Sequence, residues 1–161
     1  MRMLYVKEET GEYRPATRKD VAAEAARLAK IQNLKPIVSN SSALIEYLKL
    51  VMMTRETEQL RVIFVDNANR IIKDEVINEG IESQTAVFPR QIMRRTLELF
   101  ATGIIVVHNH PTGQLRPSNA DLVITRALAA AAETLDVRML DHVIIGMDQP
   151  GYFSFRENGL I

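Results

Sequence analysis

The apolar run Ile104-Ile105-Val106-Val107 ends in His108-Asn109-His110, and Pro111, Gly113, Pro117, Ser118 and Asp121 follow within eleven residues. The run reads as a buried strand, and side chains two apart on a strand point the same way, so the two imidazoles share a face. Proline and glycine punctuate a loop after the strand. Ser118-Asn119-Ala120-Asp121 then opens a helix as a capping box, with an alanine-rich body running to about Leu135. The chain has 3 histidines in all. Two of them on one strand end, facing a helix start that carries a carboxylate, point to a catalytic metal site.

The absence of cysteine excludes disulfides, thiolate ligands and a cysteine nucleophile, so a metal would be held by His, Asp, Glu or backbone oxygen. Asp121 falls in the first helical turn, where a carboxylate is electrostatically favoured. If the loop folds back, Asp121 meets the histidine pair. Two histidines and one carboxylate leave a fourth tetrahedral position for water, the arrangement of a catalytic rather than a structural zinc. Zinc lowers the pKa of that water to about 7. Such a site needs a base and an oxyanion donor. Ser118, three residues before Asp121, is the natural donor; Glu58, just ahead of the apolar run Leu60 to Val65, is the candidate base, with Glu56 second.

Each part also has a plainer reading. Ser118 to Asp121 is an ordinary helix cap, a role compatible with facing a metal. Glu56 and Glu58 suit solvated positions before a strand. His142, beside Asp141, reads as a hydrogen-bonded core histidine. Arg90, Arg94 and Arg95 read as a solvated helix face rather than a nucleic-acid contact, and Ala127 to Ala132 as helix propensity and close packing.

Elsewhere, residues 3–6 suit a short strand and Glu9 to Glu12 a turn. Thr17 and Asp20 form a capping box before a helix to about Gln32, and Ser39 to Ser42 cap a second helix with Leu44, Ile45, Leu48, Val51 and Met52 on its apolar face. Leu60–Val65 and Arg70–Asn78 read as a hairpin around Asp66-Asn67-Ala68-Asn69. Thr85–Phe88 suits a short extended piece. Pro89 starts a helix that buries Ile92, Met93, Thr96, Leu97 and Phe100, and Gly103 is placed to end it in the left-handed conformation. Val137–Ile145 and Tyr152–Arg156 are the closing strands, with a turn at Met147–Gly151 between them. A mixed sheet flanked by helices follows.

The 161 residues fit one domain, and a 47% hydrophobic and 25% charged composition is ordinary for a globular chain. The formal net charge of +0 gives no general attraction to nucleic acid or to an anionic membrane. No run approaches the roughly 18 apolar residues of a membrane span. The N-terminus is too short in apolar residues for a signal peptide, so a cytoplasmic location is expected. Nothing in the sequence sets an oligomeric state.

His108-x-His110, seven residues, Ser118, two residues, Asp121 resembles the signature of the JAMM (MPN-plus) metalloproteases. Within that superfamily the chain is similar to the RadC-like branch: it reads HNHPTGQLRPSNAD where the branch reads HNHPSGDPTPS and an aspartate after two further residues. Phe88-Pro89-Arg90, Leu140-Asp141-His142-Val143-Ile144-Ile145-Gly146 and Ser154-Phe155-Arg156-Glu157-Asn158-Gly159 fit the same branch. The resemblance covers about Glu56 to Ile161, leaving 1–55 as an N-terminal helical extension packing on the core. It implies an α/β fold: a single JAB/MPN-like domain with a mixed, mostly antiparallel sheet flanked by helices in cytidine-deaminase-like layering. It implies Zn2+ held by His108, His110 and Asp121, Glu58 as general base, Ser118 as oxyanion stabiliser, and hydrolysis of a peptide or isopeptide bond. Glu58 matches the family offset before the strand ending at Asp66 better than Glu56. Thr112 replaces a serine and keeps the hydroxyl, while Gln114, Leu115 and Arg116 replace a more acidic stretch, which touches only loop contacts to substrate. The RadC name also implies a DNA-repair module binding nucleic acid or repair proteins. Neutral charge and the lack of a glycine-containing helix-hairpin-helix pattern count against that reading.

Overall fold

The computed structural model describes residues 4–17, 19–21, 23–24, 41–52, 57–79, 89–146 and 151–161. At the N-terminus β1 (Tyr5–Lys7) and β2 (Tyr13–Pro15) form an antiparallel hairpin. The strand expected at 3–6 therefore lies slightly later and has a partner. The Thr17 box is present: Asp20 N–H donates to Thr17 Oγ1 at 3.2 Å and Thr17 N–H to Asp20 Oδ2 at 2.7 Å. The helix end expected near Gln32, Ser39, Asn40, Glu56, the piece Thr85–Phe88 and most of the 147–151 turn lie outside the described residues.

α1 (Ser41–Met52) precedes β3 (Gln59–Val65) and β4 (Ile71–Glu79). Then come α2 (Pro89–Glu98), β5 (Gly103–His110), α3 (Asn119–Thr134), β6 (Arg138–Gly146) and β7 (Tyr152–Ser154). The 5-stranded sheet has the order β4-β3-β5-β6-β7. Among the described residues only β5 and β6 pair in parallel, and α3 is the crossover that such a pair requires. The result is the mixed, mostly antiparallel sheet flanked by helices that the sequence predicts.

The two-residue period of the strands divides the core. Ile63, Val65, Ile105, Val107, Val143 and Ile145 pack against Leu44, Ile45, Leu48, Val51 and Met52 of α1. Val62, Phe64, Ile104 and Val106 face the other way, onto Ile92 and Met93 of α2 and Leu128 and Ala132 of α3. Burial on both faces is why β3 and β5 read as continuous apolar runs. The same alternation hands His108 and His110 to the α3 side and Asn109 to the α1 side.

Two expectations for α2 are corrected. Ile92, Met93 and Thr96 are buried, but Leu97 is 52% and Phe100 89% exposed. Leu97 lines an open groove between α2 and α3, together with Arg90, Met93, Arg94, Ala131, Thr134 and Leu135. Phe100, not Gly103, takes the left-handed conformation, with φ 58° seen at Asn69 and φ 51° here. Its N–H donates to Leu97 O and that of Ala101 to Thr96 O, both at 3.0 Å, so the last carbonyls are satisfied by a Schellman arrangement. Gly103 begins β5, where an added Cβ would meet Val65 Cγ2 at 3.0 Å and Arg138 O at 3.3 Å. Close packing, not φ, demands the glycine. Among the described residues no helix is long and apolar enough to cross a membrane.

Candidate metal centre

β5 delivers His108 and His110 at its C-terminal end. The chain then turns sharply: Gly113, at φ 77°, donates its N–H to His110 O at 2.9 Å. The loop folds back far enough for His110 Nδ1 to reach Gln114 O at 2.7 Å. Ser118 caps α3 in a reciprocal box. Asp121 N–H donates to Ser118 Oγ at 3.1 Å, and Ser118 N–H and Oγ–H each reach Asp121 Oδ2 at 2.7 Å. This fixes Asp121 at the head of the buried stripe Asp121, Thr125, Leu128, Ala132.

The three side chains converge. His108 Nε2 lies 2.9 Å from His110 Nε2 and 3.3 Å from Asp121 Oδ1, and His110 Nε2 lies 3.5 Å from Asp121 Oδ2. One ligand atom from each residue can be chosen so that all lie within 4.8 Å of one another. Burial pushes the Asp121 carboxyl up, but the adjoining imidazoles of His108 and His110, with the hydroxyl of Ser118, outweigh it and hold the group well below the usual carboxylate range. His110 is raised, first by its hydrogen bond to Asp121, then, against burial, by Gln114 O and the charges of Asp121 and Glu58. Glu58, half-buried just before β3, thus lies within electrostatic reach of the cluster.

The donor set fits a divalent metal. Gln114 O can only accept, so a neutral His110 keeps its proton on Nδ1 and turns the lone pair of Nε2 toward His108 and Asp121. Two imidazole nitrogens beside a carboxylate oxygen concentrate lone pairs and negative charge in a pocket where His108 and Asp121 are buried. That concentration can hold a cation, and a set of nitrogen and oxygen donors is one that zinc accepts.

Three further residues shape the site. Asn109, fully buried, accepts Gln59 N–H on Oδ1 at 2.8 Å and donates from Nδ2 to Thr57 O at 3.0 Å, bracketing Glu58. His142, the core histidine of the sequence reading, places Nε2 2.8 Å from His108 Nδ1 and Nδ1 2.6 Å from Thr125 Oγ1. Burial, then the neighbouring His108, drives its pKa well below the ordinary 6.5. The signals were faint: Asn109 sits between the two histidines, and Thr125 lies four residues after Asp121 on the same helix face. The arginines of α2 lie on the solvated face that the sequence suggests, and two of them pair with acidic neighbours there. Arg95 holds Glu75 at 2.5 Å and Glu98 at 3.2 Å, and Arg94 lies 3.6 Å from Glu98.

A UPF0758 protein from Rhodobacter capsulatus is 42% identical over 144 residues, which are 89% of this chain and 66% of that protein. The chain thus spans just under two thirds of that relative's length. The family model of the RadC-like JAB domain matches residues 38–160, taking in α1, the whole sheet and the His108, His110, Asp121 cluster. With fold, loop and cluster all inside that match, the chain belongs to the RadC-like JAB domain family.

Proposed function

We propose that the chain is a zinc-dependent metallohydrolase cleaving a peptide or isopeptide bond. The observation that carries this reading is the convergence of His108 Nε2, His110 Nε2 and the Asp121 carboxylate. These three residues would hold the metal. When bound, zinc supplies Lewis acidity that polarises a carbonyl and makes water nucleophilic near neutral pH.

The remaining work falls to the chain itself. Glu58 is the general base: it takes the proton from the attacking water and returns it to the leaving amine. Its influence on His110 and the Asn109 clamp on either side of it support that role. Ser118 is the donor to the developing oxyanion. Its hydroxyl rests on Asp121 Oδ2, so donation requires the O–H to turn from the carboxylate toward the substrate.

The test is cleavage of peptide and isopeptide-linked substrates by the zinc-loaded chain, with and without a chelator. Turnover that the chelator abolishes and zinc restores is the expected result. Turnover indifferent to the chelator would overturn the proposal.

A further inference from the structure

We infer that Thr125 and His142 are positioning residues that set the tautomer of His108, through hydrogen bonds anchored on the backbone carbonyl of Asp121. The inference rests on the metal-site reading above and concerns what aims the ligand.

The direction of each bond follows from the first. Thr125 Oγ1 meets Asp121 O and lies 2.6 Å from His142 Nδ1. A carbonyl only accepts, so the single hydroxyl proton goes to Asp121 O, the common back-bond of a helical threonine. Toward His142 the hydroxyl is then an acceptor, and Nδ1 of His142 must carry the hydrogen. A neutral His142 therefore presents a lone pair at Nε2. His108 Nδ1, 2.8 Å away, donates to it. A neutral His108 is left with its Nε2 lone pair directed at His110 and Asp121, the form a metal requires. The reverse order would leave two oxygens in short contact with no proton between them and would put a proton on His108 Nε2, where it blocks the metal.

The surroundings enforce the order. His108, Thr125 and His142 are each no more than 1% exposed, so water offers no alternative partner. Phe155 stacks on the His142 ring with centroids 4.6 Å apart and planes 12° apart, holding its orientation. The two histidine ligands thus take their tautomers from two different carbonyls. His110 uses Gln114 O directly, and His108 uses Asp121 O through two side chains. Asp121 contributes its carboxylate to the site and its carbonyl to the alignment of a neighbouring ligand.

The test uses the full chain, with histidine ring 15N NMR on the metal-free protein and zinc titration against a chromophoric chelator. The wild-type protein and Thr125→Ser should both show His108 and His142 protonated on Nδ1. Thr125→Val keeps the shape and removes the acceptor; it should mix the His108 tautomers and weaken zinc binding by about 10–100-fold. A wild-type His108 protonated on Nε2 would overturn the inference, as would a Thr125→Val variant with unchanged tautomer and affinity. If Thr125→Val fails to fold, the wild-type tautomer decides alone. A wild-type chain that takes up no zinc would count against the metal reading, while the ring spectra still report on the hydrogen-bond order.

Discussion

Asn109 Oδ1 accepts the backbone N–H of Gln59 at 2.8 Å, tying the residue between the two histidines to the residue after Glu58. The donor bond to Thr57 O at 3.0 Å closes the bracket from the other side. Strand alternation makes this possible: the imidazoles face α3 while the amide between them faces the start of β3. The strand carrying His108 and His110 is thus joined to the segment carrying Glu58 by two hydrogen bonds of one side chain. Asn109→Ala leaves Gln59 N–H buried without its acceptor, which costs about 1–3 kcal/mol. Urea denaturation should show that loss with zinc content unchanged and hydrolysis reduced. Unaltered stability would mean that the bracket is not made in solution.

Glu58→Gln removes the proposed base and leaves every candidate ligand in place. Zinc content should match the wild-type value, and cleavage of a responsive substrate should fall by about 10²–10⁴-fold. A variant with full activity would move the role to another carboxylate, Glu56 being next in the chain.

Phe100 pays the cost of a left-handed residue at the end of α2 with almost no burial in return, at φ 51° and 89% exposed. Phe100→Gly should stabilise the fold by about 1 kcal/mol. Calorimetry would register a rise of about 2–4 °C in melting temperature. A lower melting temperature would show that the ring is covered in solution.

Glu75 joins β4 to α2 through a two-bond contact with Arg95, 2.9 Å and 2.5 Å. Hydrogen bonding to Arg95 holds its carboxyl below the ordinary 4.5. The sign follows from proton linkage: this contribution is fully present above 4.5 and is lost as pH falls through the lower folded value. Both side chains are partly exposed, so the effect is modest. Thermal melts from neutral pH into the acid range should show a shallower loss for Glu75→Gln than for wild type. Parallel acid limbs would contradict it.

The unit from Ile104 to Leu135 is legible in the sequence because local rules agree there. A doubly buried strand, a Pro/Gly loop and a reciprocal cap leave little freedom in how His108, His110 and Asp121 are displayed. The hairpin at Asp66 to Asn69 is legible for the same reason, since Asp66 accepts from the backbone of Ala68 and Arg70 at 2.9 Å each. Features decided by distant partners are not. The pairing of β1 with β2, the exposure of Leu97 beside α3 and the need for Gly103 against Val65 each depend on another element. Phe100 misleads because propensity assigns its backbone conformation to glycine. Glu58 is flanked by a bracket from Asn109 that only the β3–β5 pairing creates, and Thr125 looks like any threonine in a helix until His142 is beside it.

Metal content per chain, measured on the wild-type protein and on His108→Ala and Asp121→Asn, tests the centre most directly. The proposed function predicts one zinc per wild-type chain and loss of stoichiometric metal in both variants. A folded His108→Ala chain that still holds one metal ion would contradict the assignment of the site.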